Sequence, residues 1–407
     1  MNLSRLAPFI AAAALLIILP FLFPSRTALT LLCAVGANAV FALSYNLLLG
    51  ETGMLSFGHA VYYAFGAYAA IHVMAAIGAH HWPVPVFLVP LVGFAGGLLA
   101  GIIVGLPACR RAGTPFAMIT LGLGELFAAT AFMLPSLFGG EEGIAGNRTA
   151  GLHPFGFSLG PLGNVYWFIA FWLFVSAVIL WAFTRTPLGR LANAARDNAD
   201  RLQFIGYDPN RVRFIVFALA SGMAGLAGGM SAVNFEIVTP STFSAVNSGL
   251  VLMMAYIGGI GVFVGPIVGA VIITFMQSML ADYSPASLFY VGILFMAVVL
   301  AAPRGLTGLA LTLRAHAAGH SWPLLARYWA ARLLSFLIVA LGAVILIELA
   351  FRVQDSDAPP LALFGLPLSP DNSHGWLIGL CLIGLGWAAS RATLRLAPAP
   401  TRLEAAP

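Results

Sequence analysis

"TPLGRLANAARDNADRLQFIGYDPNRVRFIVFALASGMAGLAGGM", residues 186–230, begins as a charged, helically patterned segment and runs without a linker into an apolar, glycine-rich stretch. Pro187 predicts a helix start. Leu188, Leu191, Ala195, Leu202 and Ile205 predict the apolar side of a short amphipathic pair of helical turns that breaks at Gly206 and Pro209. The opposite side mixes Arg190, Arg196 and Arg201 with Asp197 and Asp200. A loop that only sets membrane orientation needs neither acids nor helical register. The segment therefore reads as a docking surface for a cytoplasmic partner, and the plainer alternative is a solvated positive loop.

Working outward, the remainder of the 407 residues is too apolar for a soluble domain: 60% are hydrophobic and 8% charged, with a mean hydropathy of +0.96. Windows long enough to span a core of about 30 Å at about 1.5 Å per residue fall at 6–23, 28–49, 59–78, 84–106, 115–138, 165–184, 214–233, 247–264, 266–281, 286–302, 334–351 and 375–390. The pair on either side of Pro266 reads either as two spans or as one broken or re-entrant element. The fold class expected is an all-α polytopic membrane protein. About ten spans form a core over residues 1–313, and two further spans lie in a C-terminal extension, 314–407.

All 19 basic residues are Arg. Placing both termini in the cytoplasm leaves only Arg26, Arg148 and Arg352 outside, so 19 − 3 = 16 face inward, the bias that sets topology. The net charge of +5 thus reads as orientation, and no nucleic-acid partner is expected. With no Lys, an ordinary Walker A nucleotide site and a Schiff-base enzyme are excluded. Cys33, Cys109 and Cys381 lie far apart without a CxxC or Cys/His cluster, so neither a metal site nor a disulfide framework is expected, and no cofactor is implied.

Two polar features interrupt the apolar spans. "GETGMLSFGHAVYYAFGAYAA", residues 50–70, carries Glu51, Ser56, His59 and four glycines. It reads either as a helix entry with close packing or as unwound backbone beside a polar path. Glu125 is the carboxylate expected near mid-span. It is either a hydrogen-bonded joint between helices or part of a pathway, because charge inside a membrane is expensive. Ser56, His59 and Glu125 are the pathway candidates. A Gly-rich outer loop, 139–164, carries Glu141 and Glu142.

Together with residues 186–230, the blocks "LSYNLLLGETGMLSFGHAVYYAFGAYAA" (43–70), "TPFAMITLGLGEL" (114–126), "MMAYIGGIGVFVGPIVGA" (253–270) and "PRGLTGL" (303–309) carry a resemblance. The chain resembles permeases of the branched-chain amino-acid ABC transporter family, of the LivM type, over about residues 1–313. The resemblance implies a bacterial inner-membrane subunit, surrounded by membrane lipid, that pairs with a second related permease. It also implies two cytoplasmic ABC ATPase subunits and a periplasmic substrate-binding protein as partners, with ATP hydrolysed in those partner subunits. It makes Gly189, Arg190, Arg196, Asp197, Asp200 and Gly206 the candidate ATPase-coupling residues. The chain reads "RDNAD" where the family commonly carries longer acidic side chains. The implied cargo is a branched-chain or other hydrophobic amino acid, with urea or short amides as alternatives. A self-contained ion-coupled carrier or channel is the rival reading, with Glu125 and His59 in coupling or gating.

Overall fold

In lipid every backbone N–H and C=O must be satisfied within the chain, so a sequence this apolar resolves into helices. The computed structural model describes residues 3–80, 82, 84–152, 156–283, 286–302, 304–319, 322–354, 361–363, 366–368 and 373–393. Among them the chain forms α1 (Leu3–Leu22), α2 (Arg26–Thr52), α3 (Ala60–His80), α4 (Val89–Ala108), α5 (Thr114–Met133), α6 (Pro135–Phe138) and α7 (Leu162–Thr184). Two short helices follow, α8 (Pro187–Asp197) and α9 (Ala199–Phe204), and then α10 (Pro209–Phe235), α11 (Ala245–Gly258), α12 (Gly265–Tyr283) and α13 (Ser287–Ala301). The chain continues through α14 (Gly305–Gly319), α15 (Trp322–Gln354) and α16 (Ser373–Thr393). Both chain ends, expected in the cytoplasm, lie outside the described residues.

Every predicted window falls on a helix, but fewer helices cross on their own. Eight of those described are long and apolar enough, or nine if one bent pair counts as a single span. The clearest difference is the 247–264 window. Its helix, α11, stops at Gly258, and Gly259 takes a positive φ of 111°, so 14 residues reach only about 21 Å. The turn that follows packs on Arg304, Gly305 and Thr307, and the Thr307 hydroxyl donates to Gly258 O at 2.6 Å. Two small antiparallel ribbons, absent from the sequence reading, complete the fold: β1 (Ile144–Ala145) with β2 (Ile237–Val238), and β3 (Leu361–Leu363) with β4 (Leu366–Leu368).

The chain divides into two compact units, Met1–Ser278 with Phe295–Thr307, and Met279–Leu294 with Gly308–Pro407. In the first, α10 is central: 83% of its apolar window is buried, against 33% for the segment containing α4 and 28% for α5. It packs on α2, α3 and α4. The contact with α4 is backbone on backbone at Gly93 and Gly97, and glycine against the side chains of Ser221 and Phe217 at Gly101 and Gly105. Gly93, Gly97, Gly101 and Gly105 form one i, i+4 stripe, and a Cβ on Gly97 would sit 2.7 Å from Gly225 Cα. Such small-residue seams let membrane helices approach closely enough for dispersion to hold them.

In the second unit α15 and α16 pair through small residues; a Cβ on Gly342 would meet Gly379 O at 2.7 Å. Glu348 is paired there, accepting from Tyr290 Oη at 2.8 Å and lying 3.9 Å from Arg352 Nη2. Cys33 and Cys109 are buried, whereas Cys381 is exposed.

The seam makes a like-for-like test possible. Gly97→Ala should lower the melting temperature of the detergent-purified protein by several degrees, reflecting about 1–3 kcal/mol of overpacking. Gly163→Ala, where nothing lies within 4 Å of the added carbon, should leave it unchanged or higher. Equal behaviour of the two variants would remove the seam as a structural determinant.

Candidate functional site: a helix break and the segment that grips it

Helix α2 ends because Gly53 takes the left-handed conformation at φ 70°, its N–H returning to Leu48 O and Leu49 O. Residues 53–59 are then irregular until α3 begins at Ala60, and three bonds pin them to three helices. Tyr45 Oη of α2 donates to Ser56 O at 3.0 Å. Phe57 N donates to Thr120 Oγ1 of α5 at 3.2 Å, and Ala60 N to Ser248 Oγ of α11 at 3.0 Å. A Cβ on Gly58 would overlap Thr120 O. The backbone of residues 56–60 is thus pinned by Tyr45, Thr120 and Ser248, side chains from outside the 50–70 stretch, and Gly58 and Gly66 admit neighbouring backbone.

Within the break Ser56 and His59 are both fully buried. His59 Nε2 lies 3.0 Å from Ser44 Oγ, whose hydroxyl also reaches Phe41 O at 2.6 Å. His59 Nδ1 and Ser56 Oγ have no hydrogen-bond partner among the described residues. Phe41 stacks on the imidazole at 5.6 Å, and Tyr45 and Tyr62 meet it edge-on. His59 is a packed element of the junction, caged by aromatic rings.

The charged 186–208 segment folds as its sequence predicts, and each helix has its own cap. The Thr186 hydroxyl accepts from Gly189 N, with Pro187 at the first helical position. Asn198 caps α9 by accepting from Arg201 N, and Asp208 caps α10 by accepting from Asn210 N. Gly189 is buried against the end of α7, Ala192 and Ala195 face inward, and Gly206 ends the segment at φ 91°.

This segment grips the end of α2. Arg196 Nη1 donates to Gly50 O, and Asn193 Nδ2 donates to Glu51 Oε2 at 2.6 Å. Arg196 Nε also pairs with Asp197 Oδ1 at 3.0 Å, and its stem lies over Gly53, so a Cβ there would be 2.8 Å from Arg196 Cγ. Arg213 Nη2 of α10 donates to Ala195 O at 3.2 Å. Arg190 and Asp200 are exposed. Asn193 was not singled out in the sequence, although it stands three residues before Arg196, on the same helical face.

One expectation is reversed. Ile205 was placed on the buried side with Leu202, but α9 ends at Phe204, the helical register stops, and Ile205 is 66% exposed. Phe204 (92%) and Tyr207 (51%) join it in an exposed apolar tip. Glu125 stands apart from the break. It lies on an exposed face of α5 with Met118, Gly122 and Leu126, so the helix-joining hydrogen bond has no counterpart among the described residues.

At the opposite end of the first unit, the loop after α6 is clamped to the end of α10. Glu236, with φ 57°, accepts from Arg148 N at 2.9 Å and from Gly146 N, through its carbonyl, at 2.9 Å. Arg148 Nη1 donates to Asn234 O at 3.0 Å. Glu141 and Glu142 are exposed on that loop.

Comparison with known proteins bears on this arrangement. Residues 27–303 match the family described as "Branched-chain amino acid transport system / permease component". The LivM high-affinity branched-chain amino acid permease protein of Salmonella typhimurium is 27% identical over 288 residues, covering 66% of this chain and 67% of that one. The LivH permease protein of Escherichia coli is 23% identical over 262 residues, 60% of this chain and 82% of its own. An autoinducer 2 import permease, LsrC of Yersinia enterocolitica, is 27% identical over 197 residues, 47% of this chain and 51% of its own. No solved structure matches. The matched region holds the break, the gripping segment and the α4–α10 seam together, and the chain belongs to the branched-chain amino acid transport permease family, as a multi-pass membrane component.

Proposed function

We propose that the chain is the permease subunit of an ABC importer for branched-chain or other hydrophobic amino acids. Two cytoplasmic ATPases hydrolyse ATP, a second related permease completes the membrane part, and a periplasmic protein delivers substrate. The α8–α9 end faces the cytoplasm and the clamped loop with Glu141 and Glu142 faces the periplasm, the orientation favoured by the Arg distribution.

The observation that carries the reading is the grip of Arg196 and Asn193 on the end of α2. A partner bound at α8 and α9 pulls directly on Gly50 and Glu51, and through the pinned break on α5 and α11. Arg190, Asp197 and Asp200 offer this partner polar contacts, Gly189 and Gly206 set the two bends, and Phe204, Ile205 and Tyr207 supply the apolar anchor that interfaces concentrate their energy in. Arg196 thus acts as a transmitting residue.

These roles separate experimentally. Phe204→Ser with Ile205→Ser should cut ATPase co-purification at least tenfold, the equivalent of about 1.4 kcal/mol or more; undiminished co-purification would put the docking surface elsewhere. Arg196→Gln should keep the ATPases bound and hydrolysing while lowering amino-acid uptake about tenfold. Loss of binding instead would make Arg196 a direct contact.

Glu125 favours a second reading, that of an ion-coupled carrier, because a carboxylate on an exposed membrane face calls for a partner or a water-filled path. If Glu125→Gln abolishes a proton-driven uptake that persists without ATPases, the carrier reading replaces the importer. In the importer Glu125 borders the path beside the second permease, and the same substitution lowers ATP-driven uptake without uncoupling it from hydrolysis.

A further inference from the structure

A cavity of about 370 Å³ lies inside the first unit, among α2, α3, α10, α11 and α12, a volume typical of small-ligand sites. Ser56, His59 and Glu125 are not among its lining residues. Its polar wall comes from Asn38, Tyr63, Ser231, Thr242, Asn247 and Gln277, and its apolar wall from Phe41, Ala67, Leu250, Val251 and Met254. Phe235 and Ile237, both lining and exposed, mark its mouth beside the Arg148–Glu236 clamp. Phe41 closes the other end, since it lines the cavity and stacks on His59 at 5.6 Å. The cavity is therefore one ring away from the pinned break.

The lining contains amides, hydroxyls and hydrocarbon, but no Arg, His, Asp or Glu. A ligand with net charge would lack a counter-charge in a low-dielectric interior, which is strongly unfavourable. The Asn38 and Asn247 amide nitrogens already donate to Thr274 Oγ1 and to Ser241 O and Thr242 O. The Gln277 amide, the asparagine oxygens and the hydroxyls are the neutral dipoles that can satisfy a head group carrying both donors and acceptors, and the apolar wall suits a short aliphatic body, which urea does not have. We propose that this chain carries, within its own helices, a binding site for a small net-neutral amphiphile with an aliphatic body, the chemistry shared by an aliphatic amino-acid zwitterion and a short aliphatic amide. The assignment of such a molecule as transported cargo rests on the importer reading; the site itself does not.

The test measures equilibrium binding of radiolabelled leucine and of radiolabelled isovaleramide to the full-length protein in nanodiscs, alone and with whatever ATPases co-purify. Saturable binding of at least one probe is expected, and the tighter one identifies the source. Leucinamide, a cation, and 4-methyl-2-oxopentanoate, an anion, keep a similar body and should compete at least tenfold more weakly. Ala67→Phe, which fills the cavity, and Gln277→Leu, which removes an amide at nearly constant volume, should each weaken binding at least tenfold. Absence of binding by both probes overturns the site, as does binding unchanged in a folded Gln277→Leu protein, or equal competition by the charged analogues. Binding without ATPase co-purification leaves the site standing and removes the importer. ATP-driven leucine uptake by a preparation whose chain binds neither probe does the reverse.

Discussion

The contact between α4 and α10 brings backbone against backbone at Gly93, Gly97 and Gly225, and the first unit is arranged around it. In lipid there is no hydrophobic gain from bringing two apolar helices together, so attraction has to come from closely approaching atoms and their dispersion. The four-residue glycine repeat on α4 meets Phe217, Ser221, Gly225 and Gly229 of α10. On another side of α10, Gly228 meets the backbone of α3 at Tyr63 and Ala67. With α10 fixed in this way, α2 and α3 are held beside it and the break between them acquires a defined place.

That break joins elements distant in the sequence. Residues 50–60 are linked to α8 by Arg196 and Asn193, to α5 by Thr120 and to α11 by Ser248. The Thr120 and Ser248 links lie among buried apolar side chains, where a hydrogen bond competes little with water and leaving a partner unpaired is costly. The break is therefore firmly held to α5 and α11, while α8 reaches it through the part-buried contacts of Arg196 and Asn193.

Much of this was legible in the sequence because the signals are local. Hydropathy finds the long apolar helices, and Thr186, Pro187, Gly206 and Pro209 mark the bounds of the charged segment through capping chemistry. What was not legible depends on neighbours. The glycines at 50, 53, 58 and 66 stand out beside polar residues, while the regular repeat at 93, 97, 101 and 105 acquires its meaning only when Gly225 is seen opposite. Ile205 was misplaced because periodicity was continued one residue past the end of α9. The 247–264 window overran because the glycines at 258 and 259 are apolar enough to pass as span while ending the helix. The neutral cavity has no sequence signature, since its lining is drawn from five separate helices and the turn after α10.

The shortness of α11 has a consequence for how the chain is made. A helix of about 21 Å leaves one end inside an apolar layer about 30 Å thick. Polar, irregular backbone at that depth is tolerated only when protein shields it. The shield at its start consists of Phe65, Tyr68 and Phe138 around Phe243, with Ala60 N on Ser248, and at its end of Thr307 on Gly258 O. During biosynthesis α11 therefore has no stable resting place in lipid until both α3 before it and residues 304–307 after it are in place, and its entry is a folding step that waits for a segment made later than itself.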